Sequence, residues 1–170
     1  MADLQIRPAQ DADLPALTEI YNHYIINTAI TFDLKPFTLK ERAVWFDEHA
    51  DTGRHRLLVG EEAGRVIGYA STGQFRNKQA YETTAEASIY CAADVVGRGL
   101  GSALYGALFD ALKGEDLNRL VAGITLPNDA SVALHERFGF VQVGIFTKVG
   151  RKFGRYWDVG WYERPFGASS

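Results

Sequence analysis

One cysteine, Cys91, stands in 170 residues, so the chain can close no disulfide on itself and build no cysteine metal cluster. Histidine is scarce too. His23, His49 and His55 lack the short, regular spacing of a ligand set, and no metal is expected. Neither sign of charge is in surplus: 18 basic against 21 acidic side chains leave a net charge of −3. That argues against a general nucleic-acid binder, which carries a basic excess. No apolar run approaches the roughly 20 residues that span a bilayer. The start, MADLQIRPAQDADLP, has charges where a secretion signal has its apolar core. The expectation is a cytoplasmic protein with neither membrane nor nucleic acid as partner. Repeats, low-complexity tracts and linker-like stretches are absent as well. One domain is expected over residues 1–166, with a flexible tail at 167–170.

What is present reads as alternating helices and strands. Residues 4–8 alternate like a short strand. Asp11 or Asp13 can cap a helix that carries Leu14, Leu17, Tyr21, Tyr24 and Ile25 at helical spacing, with Pro15 in its first turn. Thr38-Leu39-Lys40-Glu41 is a capping box opening a second helix to about His49. Residues 56–62 and 65–72 read as a hairpin, 74–81 as a polar loop, and 84–93 as a strand. A helix over 102–113 with Leu104, Leu108 and Leu112 follows, then a strand at 119–125 and a helix from 127 to 138. Strands at 140–149 and 156–164, joined by 150–155, close the chain. That order implies an α/β (α+β) domain around a mixed sheet.

The chemistry gathers at Val96-Gly97-Arg98-Gly99-Leu100-Gly101, where a strand runs into a glycine-rich turn and a helix. The first amides of a helix lack partners within it and favour anions. Glycines let the backbone approach a pyrophosphate closely. The plain alternative is a tight connection with no ligand. A P-loop is excluded because no Gly-Lys pair occurs. The dinucleotide fingerprint fails because Ser102 stands at its last glycine.

SIYCAADVVGRGLGSALYGAL at 88–108 and ITLPNDASVALHERFGF at 124–140 resemble the GNAT acetyltransferase superfamily. IRPAQDADL, IYNHYI, AYETTAEASIY and WDVGWYERPF extend the resemblance across most of the chain, to the phosphinothricin acetyltransferase branch. In that superfamily a Q/R-x-x-G-x-G/A turn grips the pyrophosphate of acetyl-CoA; here Val96 stands at the Gln/Arg position. The resemblance implies a mostly antiparallel mixed sheet with helices on both faces, acetyl-CoA as co-substrate, a small-molecule amine as acceptor, and a homodimer. It places the cofactor on Ile89, Tyr90, Cys91, Val96, Gly97, Arg98, Gly99, Leu100, Gly101, Ser102 and Asn128. Phosphinothricin, methionine sulfoximine and methionine sulfone are the expected acceptors. Another small amine, a protein N-terminus, or a silent acetyl-CoA-binding module are the alternatives.

Direct acetyl transfer needs a base for the amine, a way to stabilise the oxyanion, and a proton for the leaving thiolate. The resemblance puts the base on Glu86; otherwise it is a strand glutamate facing solvent. His135, where many relatives carry a tyrosine acid, can donate or accept near neutral pH; otherwise it is a surface histidine. Cys91, mid-strand among apolar residues, reads as a small hydrophobe rather than a nucleophile. Asn128 can also cap its own helix. Arg76, Lys78 and Tyr81 suit an anionic acceptor; in an extended segment Arg76 and Lys78 share one face. Otherwise they are a solvated loop. The aromatic end of the chain (Phe153, Tyr156, Trp157, Trp161, Tyr162, Phe166) reads as dimer surface, acceptor-site wall or hairpin core.

Overall fold

The computed structural model describes residues 4–167; the last three residues of the expected tail lie outside them. Seven strands form one sheet: β1 (Leu4–Pro8), β2 (Leu57–Glu62), β3 (Arg65–Gln74), β4 (Thr84–Cys91), β5 (Arg119–Leu126), β6 (Val141–Lys152) and β7 (Arg155–Pro165). Their order across the sheet is β1-β2-β3-β4-β5-β7-β6. Every neighbouring pair is antiparallel except β4 and β5. Four helices cover it: α1 (Leu14–Asn27), α2 (Leu39–Phe46), α3 (Leu100–Ala111) and α4 (Asp129–Arg137). This is the mixed, mostly antiparallel sheet with helices on both faces that the resemblance implies.

The leucine spacing of α3 sets the central layer. Leu100, Leu104 and Leu108, with Tyr105, are buried against β2, β3 and β4. Burying one such side chain stabilises the fold by about 1.5–3 kcal/mol. The helix sits so low that a Cβ at Gly68 would come within 2.9 Å of a Leu100 methyl. Glycine is what lets helix and sheet meet there. On the opposite face α1 and α2 pack together over β3 and β4, through Leu17, Ile20 and Tyr21.

The Thr38 capping box forms as expected, with the Thr38 amide donating to Glu41 Oε2 at 2.8 Å and the Glu41 amide donating back to Thr38 Oγ1 at 3.3 Å. Asp13 does not cap α1 with its side chain. Its carboxylate is taken by the Arg7 guanidinium, 2.7 and 2.9 Å away, and a 3-10 turn over Asp11–Asp13 precedes the helix instead. The second helix stops at Phe46, short of His49. The last hairpin is longer than expected: strand pairing continues past an irregularity at 147–149, and the turn is Phe153-Gly154.

Candidate functional site

The site grows from a fault in the sheet. β4 and β5 pair only at Thr84–Arg119, Ala85–Leu120 and Glu86–Val121, then part. Beyond Glu86 a slot of about 50 Å³ opens between them, lined by Ser88, Tyr90, Tyr105, Gly123, Asn128 and His135 among others. β4 keeps its β3 partner on the other side as far as Cys91. Its edge toward the slot is therefore a row of strand amides and carbonyls without a strand to meet them.

On the α3 and α4 side the slot leads into a groove of about 340 Å³, sharing Ile89, Asn128 and Ser131 with it. The glycine turn is the groove's end. Gly97 and Gly99 have φ of 86° and 84°, a region other residues enter only with strain. Gly99 is the N-cap of α3, so the first amides of that helix face the groove. Gly101 brings α3 against α4, where a Cβ would meet Leu134 at 3.0 Å. Asn128 does cap its helix: its Oδ1 accepts from the Ser131 amide at 3.2 Å. Ile89, Cys91, Val96, Gly97, Gly99, Leu100, Gly101, Ser102 and Asn128 all line the groove, and Tyr90 lines the slot. Arg98 does not line it, since its guanidinium pairs with Glu62 at 2.8 Å, away from the groove. A different cation takes that place: Arg137 on α4 lines the groove and donates to Ser102 Oγ at 3.2 Å. A narrow slot with an open strand edge, ending at bare helix amides, fits a thin amide-bearing arm that ends in a pyrophosphate.

Glu86 is half-buried and stands where the two strands part. Burial raises its pKa, and the nearby Arg76 charge partly opposes that shift. On one side of it lies a cavity of about 340 Å³ lined by Phe75, Arg76, Tyr81, Val121, Trp161 and Glu163, among others. The indole Nε1 of Trp161 is buried there without a hydrogen-bond partner among the described residues. Lys78 is exposed and lines none of the cavities described here. The strand ends at Gln74 and the chain bends through 75–78 before a 3-10 turn at Gln79–Tyr81, and of the two cations expected together only Arg76 lines the cavity. On the other side of Glu86 a second cavity, of about 400 Å³, lies between α1, α2 and the sheet. Tyr21, Arg42, Tyr69, Ser71, Ser88 and Tyr90 are among its lining. Ser88 and Tyr90 belong to both this cavity and the slot.

His135 is not a surface histidine; it is 3% exposed. Its Nδ1 lies 2.7 Å from the Ser131 carbonyl, which can only accept, so Nδ1 carries the proton. Nε2 is then the acceptor for the Tyr105 hydroxyl at 2.8 Å. Burial lowers the pKa of the ring and favours its neutral form. Cys91 is half-buried, and burial pushes its thiol up to about 11, which leaves almost no thiolate at neutral pH. No three His, Cys, Asp or Glu side chains gather as a metal would require, among the described residues.

Arg42, Tyr105 and Arg137 escape a reading of the sequence. The C-terminal aromatics differ in their surroundings. Tyr162 is core, Trp161 walls the cavity beside Glu86, and Phe153 and Tyr156 are exposed.

Known proteins resemble this chain in sequence and fold. Phosphinothricin N-acetyltransferase of Streptomyces coelicolor is 52% identical over 96% of this chain and 97% of its own. A methionine sulfoximine/methionine sulfone acetyltransferase of Pseudomonas paraeruginosa is 40% identical over 91% of this chain and 90% of its own. The crystal structure of a phosphinothricin acetyltransferase from Sinorhizobium meliloti, in complex with acetyl-CoA, superposes with a TM-score of 0.88 at 34% identity, covering 96% of this chain and 89% of that one. The acetyltransferase (GNAT) domain family matches residues 6–161. A sheet parted beside Glu86, a groove ending in bare helix amides and these likenesses converge: the chain belongs to the GNAT acetyltransferases.

Proposed function

We propose that the protein is an acetyl-CoA-dependent N-acetyltransferase, acting on the amine of a small amino-acid-like acceptor such as phosphinothricin, methionine sulfoximine or methionine sulfone. The observation that carries this is the position of Glu86, at the inner end of a slot that runs back to the glycine turn. The named activities of the relatives support the acceptor class. Acetyl-CoA would supply an activated acyl group on a good leaving thiolate; the rest falls to the chain. The first amides of α3 and the Arg137 guanidinium hold the pyrophosphate. The open edge of β4, at Ile89, Tyr90 and Cys91, takes the amides of the arm as a further strand. Glu86 removes the amine proton, directly or through one water, and its raised pKa suits that task. Tyr105, held by His135 Nε2 at the slot, gives its hydroxyl proton to the leaving thiolate and regains one from solvent. Arg76 and Tyr81 hold an acid group of the acceptor. Cys91 takes no covalent part, so both substrates are bound together before transfer.

The domain is proposed to be single, over residues 1–166, and to pair as a homodimer in the cytoplasm. Val143, Ile145, Phe146 and Val149 on β6, with Phe153 and Tyr156 at the hairpin tip, leave an apolar surface that supports pairing. No helix among the described residues is long and apolar enough to cross a membrane. The test is thiol release from acetyl-CoA across a panel of amino-acid analogues, simple amines and a peptide N-terminus. Turnover with the amino-acid analogues above the rest is expected. Tight acetyl-CoA binding with no turnover on any of them would mark a silent binding module instead.

A further inference from the structure

Arg42 is a buried charge without a counter-ion. It projects from α2 with 6% of its surface exposed, and no carboxylate lies within 4.0 Å of it among the described residues. Its guanidinium carbon sits 3.5 Å from the centre of the Trp45 ring and 4.1 Å from that of Tyr21. Those rings cover the faces of the group. They cannot satisfy its five N–H donors, which point outward in the plane. Nη2 donates to the Tyr69 hydroxyl at 3.1 Å, and Nε is buried with no partner. A desolvated cation with idle donors is costly unless something else completes it.

The residues around it suit an anion. Arg42 lines the 400 Å³ cavity together with the hydroxyl-bearing Tyr69, Ser71, Ser88 and Tyr90. Three carboxylates also face that cavity: Asp33 from the segment between α1 and α2, and Glu41 and Glu48 from α2 or just beyond it. Asp33 is already engaged by the Tyr21 hydroxyl, Glu41 is turned back onto Thr38, and Glu41 and Glu48 are exposed to water that screens them. The floor is cationic while the acidic groups sit outside or are occupied. Ser88 and Glu86 point to the same face of β4, about 7 Å apart along the strand. That is the reach of a short side chain measured from an amine held at Glu86.

We propose that this cavity is a second anion subsite for the acceptor, with Arg42 taking one acid group while Arg76, across Glu86, takes the other. The favoured acceptors are then amino acids whose side chain ends in a second acid group, ahead of those with a carboxylate alone. The proposal rests on the acetyl-transfer reading above, and the measurements separate the two. Initial rates give kcat/KM for phosphinothricin, which has two acid groups, and for methionine sulfone, which has one. The wild type is expected to prefer phosphinothricin. In Arg42→Met that preference ratio should fall about ten- to a hundredfold, because a hydrogen bond to a charged group is lost. Arg42→Lys should recover part of it. An unchanged ratio in Arg42→Met would overturn the subsite. Should Arg42→Met fold poorly, the wild type decides alone: glutarate should compete with the acceptor at least tenfold more tightly than butyrate, and equal inhibition would overturn the proposal. Turnover of the sulfone equal to or above phosphinothricin sinks the subsite while leaving acetyl transfer standing. No thiol release with either acceptor sinks both.

Discussion

The two sides of Glu86 are built from different materials. The cofactor side is mostly backbone: a glycine turn, the first amides of α3 and one bare strand edge. The acceptor side is mostly side chains, drawn from α1, α2, β3, β4, β7 and the loop before β4. Backbone geometry is written in short sequence stretches, because a glycine pattern and a strand-to-helix junction suffice to specify it. Side-chain cavities depend on which distant residues fold against each other. The first kind of site should tolerate most side-chain changes and fail on backbone ones; the second should fail on single side chains.

The sharpest break is expected at the boundary itself. Glu86→Gln should lower kcat by about 10²–10⁴-fold, the usual share of a general base, with acetyl-CoA affinity by calorimetry nearly unchanged. The pKa of Glu86 is raised by burial, so the acid limb of the wild-type kcat profile should lie above the ordinary carboxylate range and vanish in the variant. A raised carboxylate pKa favours the folded state at low pH, and that contribution is lost as pH rises through the folded value. Glu86→Gln should therefore cost no stability at neutral pH, which separates lost chemistry from lost folding in a thermal melt.

Gly99→Asp tests the backbone side. Its φ of 84° already strains any other residue, and the new carboxylate would meet a pyrophosphate. Acetyl-CoA affinity should fall about a hundredfold, the worth of nearly 3 kcal/mol. The melting temperature should drop by several degrees, given about 1–3 kcal/mol of backbone strain. Full affinity in a folded variant would remove the turn from the cofactor site.

Smaller effects sharpen the acceptor side. Arg76→Ala should weaken kcat/KM for anionic acceptors about ten- to a hundredfold, at roughly 1.5–3 kcal/mol per charged contact. Lys78→Ala, outside the cavity, should change it less than about threefold, a loss of under about 1 kcal/mol. Equal losses would show that the loop closes over the acceptor. Cys91→Ala should stay active and keep converging, ternary-complex rate plots; a trapped acetyl group on Cys91 would overturn direct transfer.

Local signals foretold most of the elements and failed where partners lie far apart in sequence. The Thr38 box needs only Glu41 three residues on, and both are visible together. Asp13 is an equally good cap for α1 on paper, but Arg7, which Glu61 also holds, takes its carboxylate into an ion network. His135 was legible as a residue and not as an environment: its burial depends on Tyr105, thirty positions earlier on another helix. Arg76 and Lys78 pair only in an extended chain, and the strand ends at Gln74, with bends through 75–78. Arg42 looked like any charge on an exposed helix, because nothing near it in sequence shows that Tyr21 and Tyr69 enclose it.

The short pairing of β4 with β5 has a consequence for how the molecule moves. Among the described residues, three residue pairs form the ladder that joins a four-stranded half, β1 to β4, to a three-stranded half, β5 to β7. One continuous core bridges the two halves through side chains, and along the sheet itself an occupant of the slot would be the stitch between them. Amides of β4 beyond Glu86 that face the gap should exchange with solvent readily in the free protein and slowly once acetyl-CoA is bound.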